Sequence, residues 1–124
     1  MQEAGTTQAS RTTLLLVEDD PSFCANIRSA FVNIAPDWTI EIASTGSDAL
    51  DILQRKEAQI GLALVDLGLP DISGVEVIRA LNQVAEPVPT LVLSVITAER
   101  SLIIAIEAGA RGYLLKSDPG EAIE

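Results

Sequence analysis

The chain has 124 residues, 48% of them hydrophobic, with 18 acidic against 8 basic side chains and a formal net charge of −10. That length suits one domain, that apolar content suits a sizeable core, and the acidic balance argues against a surface built to grip nucleic-acid phosphates. The absence of histidine and the single cysteine, Cys24, exclude a histidine-based triad, an internal disulfide and a cysteine-rich zinc site.

The first 12 residues, "MQEAGTTQASRT", are polar and rich in Thr, Gly and Ser, and read as a flexible N-terminal tail before a domain spanning 13–124. They lack the basic-then-apolar pattern of a leader, and no apolar stretch approaches the length of a membrane span. The composition fits a reducing, cytoplasmic setting.

From Thr13 onward, short β-rich apolar runs alternate with segments of helical spacing. The runs are Leu14–Val17, Trp38–Ala43, Ile60–Val65, Thr90–Leu93 and Gly112–Leu115. The first helix follows Asp20, an N-cap residue with Pro21 at the first helical position. Its inward face is predicted to carry Phe23, Ile27, Ala30, Phe31 and Ile34, and Cys24 is read as a small apolar helix residue. The second helix follows "STG", with Ala49, Leu50 and Leu53 inward, and the third starts near Ser73–Gly74, with Val77, Ile78 and Leu81 inward. The fourth covers Ala98–Ala108, and a fifth begins around Asp118, so the chain ends with that helix truncated. Strands alternating with helices imply βαβ units and a parallel sheet. Runs apolar at consecutive positions, such as "LLLV" and "LALV", suit strands covered on both faces.

Ligands of open parallel sheets bind outside the carboxyl ends of the strands. Read in turn, those ends offer Glu18, Asp19 and Asp20, then Asp66 of "IGLALVD", Ser94 of "PTLVLSV" and Lys116 of "RGYLLK". Singly each is weak, since an acid after a strand is most often a solvated turn or a helix cap, a serine there bonds backbone, and a lysine is a surface charge. Asp20, preceding Pro21, fits the cap. The combination carries more. Clustered carboxylates repel by about 4 kcal/mol per close pair at an effective dielectric of roughly 20. A divalent cation reverses that sign, and an oxygen-only ligand set points to Mg²⁺ or Mn²⁺, with Glu18 and Asp19 as the metal-binding pair. A carboxylate beside such an ion, with a lysine and a hydroxyl nearby, is suited to attack a phosphoryl group.

"LLVEDDP", "LVDLGLPDISGVEVI", "LVLS" and "GARGYLLK", in that order and spacing, resemble the receiver domain of two-component response regulators from about Thr13 to the C-terminus. The resemblance implies a doubly wound, flavodoxin-like α/β fold with a five-stranded parallel sheet in the order 2-1-3-4-5. It implies that Asp66 accepts the phosphoryl group, and that Glu18, Asp19, Asp66 and the backbone carbonyl of Gly68 hold Mg²⁺ or Mn²⁺, Asp19 more directly than Glu18. Lys116 and Ser94 would assist, and Ser94 and Tyr113 would form the switch. The implied partner is a sensor histidine kinase or phosphotransfer protein, and the chain is a phosphoacceptor rather than an enzyme. "EAGARGYLLK" is most similar to regulators whose receiver precedes a helix-turn-helix DNA-binding domain. The expected whole is therefore a transcription regulator of which this chain is a fragment, as against a stand-alone receiver. The apolar run Leu102–Ile106 suggests either a partner or homodimer surface on the fourth helix and fifth strand, or a deeply buried helix.

Three departures stand out. Ser117 replaces the proline that often follows the lysine, disfavouring a cis bond, which costs about 2.5–4 kcal/mol without proline. Val95 stands where many relatives carry a smaller residue, crowding the space into which Tyr113 would turn. The chain ends as the fifth helix starts. Alternatives are a receiver-like module that never uses phosphate, opposed by the full complement of polar positions, and an aspartate-nucleophile phosphatase, opposed by Gly68 where a second acid belongs. A dinucleotide-binding domain fails for want of a glycine-rich turn after the first strand.

The same motifs bear on signal lifetime. Side chains two positions after the aspartate and two after the Ser/Thr flank the in-line water in this family, and here they are Gly68 and Ile96. Neither hydrogen-bonds a nucleophile, so slow autodephosphorylation is expected. Decay of phosphorylated protein in Mg²⁺ after donor removal should be faster in a Gly68→Asn, Ile96→Glu variant; equal decay would show that these positions do not set the lifetime.

Overall fold

The structure, a computed structural model, describes residues 11–94 and 99–116, the side chains of Ser94 and of residues 99–102 excepted. Strands and helices alternate: β1 (Thr13–Val17), α1 (Pro21–Ile34), β2 (Thr39–Ala43), α2 (Gly46–Lys56), a 3₁₀ turn (Glu57–Gln59), β3 (Ile60–Asp66), α3 (Gly74–Asn82), β4 (Thr90–Ser94), α4 (Glu99–Ala108) and β5 (Gly112–Leu115). All five strands pair in parallel in the order β2-β1-β3-β4-β5, the expected doubly wound α/β arrangement.

Alternation along the strands splits the core into two layers. Leu14 and Leu16 of β1 join Leu64, Leu93 and the α1 residues Phe23, Cys24 and Ile27 on one face. Leu15, Val17, Ala63, Val65 and Val92 face α2, α3 and α4 on the other, against Ile52, Leu53, Val77, Ile78 and Ala105 among others. Every residue of β1 is buried, as consecutive apolar positions in a sheet covered on both sides require.

Helix starts follow local chemistry. Asp20 has extended backbone geometry and its Oδ1 accepts from the Ser22 and Phe23 amides at 2.9 and 3.4 Å, with Pro21 opening the helix. Ser73 caps α3 through Val75 N–H at 3.1 Å. The inward faces differ from expectation in three places. Ile34 is 76% exposed, because the last turn of α1 runs past the sheet that covers Phe23 and Ile27. Ala30 and Phe31 are half-buried, Phe31 meeting Trp38 edge-on at 5.6 Å between ring centroids. In α2, Ile52 is buried beside Leu53, while Leu50 sits at the boundary. Trp38 lies just before β2 rather than in it. Among the described side chains of α4, Ala105 and Ala108 are buried while Ile103, Ile104 and Ile106 are exposed, so the helix is not deeply buried on all sides. Of the tail expected over residues 1–12, residues 1–10 lie outside the described residues, as do Val95, Ile96, Ala98, Ser117 and the helix expected from Asp118, while Arg11 pairs with Glu86 and Thr12 O accepts from Thr39 N–H.

One close approach fixes the path after β3. The amide of Gly74 donates to Leu67 O at 3.2 Å. A Cβ there would sit 2.4 Å from the Asp66 carbonyl oxygen and 2.7 Å from Leu67 Cα. Backbone cannot yield as a flexible side chain does, so Gly74→Ala should destabilise the chain by about 1–3 kcal/mol, the range for overpacking a tight site. Chemical denaturation measures this, and an unchanged midpoint would show that the α3 start has slack.

Candidate functional site

Parallel pairing brings the carboxyl ends of the strands to one edge. Val17 pairs with Ala43 and with Val65, Asp66 with Leu93, and Ser94 with Leu115. Glu18, Asp66 and Lys116 therefore follow in-register apolar positions. Oxygen atoms of Glu18, Asp19 and Asp66 lie within 4.8 Å of one another. Lys116 Nζ sits between them, 2.7 Å from Glu18 Oε1 and 3.5 Å from Asp66 Oδ2. The Phe23 ring lies beneath that ammonium, 5.0 Å from Nζ to its centroid, a distance suited to cation–π attraction.

The three carboxylates differ in setting. Glu18 is 1% exposed; its amide donates to Ala43 O at 2.9 Å and its Oε2 accepts from Asp20 N–H at 3.2 Å. Asp19 is exposed, and Asp66 is half-buried with Oδ1 accepting from Gly68 N–H at 3.1 Å. Burial pushes the Glu18 carboxyl above its ordinary range despite the hydrogen bond from Lys116, and the neighbouring Asp66 charge adds to the rise. Burial works against the Lys116 charge, but the bond to Glu18 and the charge of Asp66 hold its pKa above the ordinary lysine value. One lysine thus does not satisfy the negative charge gathered here. A hard cation fits this oxygen-only group, whose oxygen atoms converge within 4.8 Å, since it would turn the repulsion among the carboxylates into attraction. A cleft of about 310 Å³ opens alongside, with Glu18 and Asp19 at one end, Arg28 of α1 among its walls and Ser44 after β2.

The structure brings Glu18, Asp19, Asp66 and Lys116 together. Asp20 turns its side chain to the α1 amides instead. Ser94 ends β4 at the same edge, with its side chain outside the described set. Tyr113 is 47% exposed on β5, in register with Val92 of the α2–α4 face. Sequence reasoning missed two contacts. Phe23 was assigned to the core alone, because nothing in the sequence pairs it with a lysine so distant. Asp71 was assigned no role, yet its carboxylate accepts from Gly46 and Ser47 amides at 2.8 and 2.9 Å across the loop. Its only signal was an acid following Pro70 near a helix start without an acidic cap of its own.

Among the described residues no helix is long and apolar enough to cross a membrane. The sequence matches the response regulator receiver domain over residues 14–124. It is 36% identical over 104 residues to the regulatory protein LuxO of Vibrio cholerae, covering 82% of this chain and 21% of LuxO. It is 30% identical over 105 residues to the nitrate/nitrite response regulator protein NarL of Escherichia coli, covering 84% of this chain and 47% of NarL. The chain therefore spans less than half the length of these relatives. The fold superposes on the Mn²⁺-bound form of response regulator Rcp1 with a TM-score of 0.80 at 27% identity, covering 90% of this chain and 86% of Rcp1. Matched over nearly all of its length, with the acidic edge formed at its strand ends, the chain belongs to the family of response regulator receiver domains.

Proposed function

We propose that the domain accepts a phosphoryl group on Asp66 from a phosphohistidine of a sensor histidine kinase or phosphotransfer protein. The observation that carries this reading is the convergence of Glu18, Asp19 and Asp66 within 4.8 Å, bridged by Lys116. Glu18, Asp19, Asp66 and the backbone carbonyl of Gly68 would hold Mg²⁺ or Mn²⁺, which supplies charge neutralisation at the transferring phosphoryl oxygens. An Asp66 carboxylate oxygen forms the new bond to phosphorus. The bond from phosphorus to the donor imidazole nitrogen breaks, and its electron pair stays with the imidazole. Lys116 is placed to stabilise the phosphoryl oxygens electrostatically, and the hydroxyl of Ser94 is assigned the same task from the end of β4. The side-chain hydrogen bond from Gly68 N–H orients Asp66. The half-buried setting of Asp66 leaves its carboxylate reachable by a donor protein. The chain acts as a phosphoacceptor that assists its own modification, in the cytoplasm. The net charge of −10 opposes any direct nucleic-acid contact by this domain, and transcriptional output belongs to a separate DNA-binding domain.

The signal leaves through β4, β5 and α4. Phosphorylation adds about 1.5 to 2 negative charges, drawing Ser94 toward the phosphoryl oxygens and Tyr113 inward. Exposed Ile103, Ile104 and Ile106 on α4 adjoin this route and support an output surface, including a homodimer of α4 and β5. Light scattering with and without a phosphate mimic should show association increased by the mimic; a monomer in both states removes the homodimer.

Acetyl phosphate with Mg²⁺ should add one phosphoryl mass to the wild-type chain and none to Asp66→Asn. Asp19→Ala should weaken Mg²⁺ binding and block the mass gain, whereas Asp20→Ala should keep Mg²⁺ binding and lose about 1 kcal/mol of stability as a lost N-cap. No mass gain in the wild-type chain would refute the phosphoacceptor reading. Loss of Mg²⁺ binding in Asp20→Ala with retention in Asp19→Ala would reverse the ligand assignment.

A further inference from the structure

We infer that Asp71 is a positioning residue for the acidic centre: it clamps the loop 67–73 onto the start of α2 and so fixes the backbone at Gly68 and the carboxylate of Asp66. The inference rests on the metal-binding and phosphoacceptor reading above.

The loop leaves β3 at Asp66 and enters α3 at Gly74, where Gly74 N–H to Leu67 O closes its base. Its far side is held by Asp71, whose Oδ1 accepts from Gly46 N–H at 2.8 Å and whose Oδ2 accepts from Ser47 N–H at 2.9 Å. Both carboxylate oxygens are thus engaged by adjacent amides at the positive end of a helix, a charge-assisted arrangement. The hydroxyl and amide of Ser47, with the amide of Gly46, hold the Asp71 carboxyl well below the usual carboxylate range, so it stays ionised. Ile72 packs against the same point: a Cβ on Gly46 would come 2.1 Å from Ile72 Cγ1. Between the base and the clamp lies Gly68, whose amide donates to Asp66 Oδ1 at 3.1 Å.

A simple capping role does not account for the clamp. The α2 helix already has its own cap, Thr45 Oγ1 accepting from Asp48 N–H at 3.0 Å. What Asp71 adds is a link between segments 25 and 24 residues apart in sequence. Asp71 itself is exposed and contributes nothing to the core. Its effect is to remove freedom from a loop that must present a backbone carbonyl and a hydrogen-bonded carboxylate at a fixed separation. Outer partners of metal ligands act in this way without touching the ion.

Thr45 supplies the control, because Thr45→Ala removes a cap from the same helix but leaves the loop clamped. The experiment measures the Mg²⁺ dissociation constant by calorimetric titration, and Asp66 phosphorylation by acetyl phosphate, in the wild-type chain and in Asp71→Ala, Asp71→Asn and Thr45→Ala. Asp71→Ala should raise the Mg²⁺ dissociation constant roughly tenfold, as loss of an outer-shell support does. Asp71→Asn, which keeps one acceptor oxygen, should fall between it and the wild type. Thr45→Ala should leave Mg²⁺ affinity unchanged although it lowers the denaturation midpoint. An unchanged constant in Asp71→Ala, or an equal rise in Thr45→Ala, overturns the inference. A wild-type chain that binds Mg²⁺ but gains no phosphoryl group refutes the phosphoacceptor reading, and the Mg²⁺ affinities still decide the clamp. A wild-type chain that binds no Mg²⁺ refutes both.

Discussion

The bridge from Lys116 to Glu18 and Asp66 is the contact on which the rest of the site depends. Glu18 is almost fully buried, and a buried carboxylate without a partner is costly. Its partner arrives from the end of β5, 98 residues later, after the chain has built every other strand. Removing one member of such a pair leaves an uncompensated charge, typically costing about 3–5 kcal/mol. The lysine is in turn held from below by Phe23, so the first helix, the first strand and the last strand meet at one ammonium group. The pair is incomplete compensation: burial and Asp66 still press on Glu18 after Lys116 has made its contact. The edge therefore gathers more carboxylate than one ammonium group offsets.

The fold makes this meeting possible by bringing in-register strand ends to one edge. Consecutive apolar residues anchor each strand on both faces, and the first polar residue after each run then falls at that edge. This is why so much was legible in the sequence. "LLLV" before Glu18, "LALV" before Asp66 and "YLL" before Lys116 each state both where a strand is and where it stops. Asp20 and Pro21 together identified the start of α1, since cap and first-turn chemistry are local.

What was not legible is whatever depends on distance through space. Ile34 fits the helical period of α1 but lies beyond the covering sheet, which periodicity alone cannot reveal. Leu50 and Ile52 lie on nearly opposite sides of α2, about 200° apart at 3.6 residues per turn, and the buried side proves to be the one carrying Ile52 and Leu53, with Leu50 at the boundary. Phe23 reads as an ordinary core aromatic until Lys116 is seen above it. Asp71 reads as a loop acid because its partners, the Gly46 and Ser47 amides, belong to an earlier segment. The residues of the acidic edge announced themselves by type and place; their contacts with Phe23 and the bonds of Asp71 did not.

The sheet joins the acidic edge to strands of very different burial. Asp66 is paired through its backbone to Leu93, and β4 to β5 through Ser94 and Leu115. β3 thus links the well-covered β1 on one side to β4 and, through it, β5 on the other. β5 is an edge strand whose Tyr113, Leu114 and Leu115 are all exposed, in contrast to the fully buried β1. Glu18 is buried and the loop 67–73 is bonded through Gly74 and Asp71, whereas Ile103, Ile104 and Ile106 of α4 are exposed. Burial is thus unevenly distributed across one sheet, from the fully buried β1 to the exposed edge strand β5.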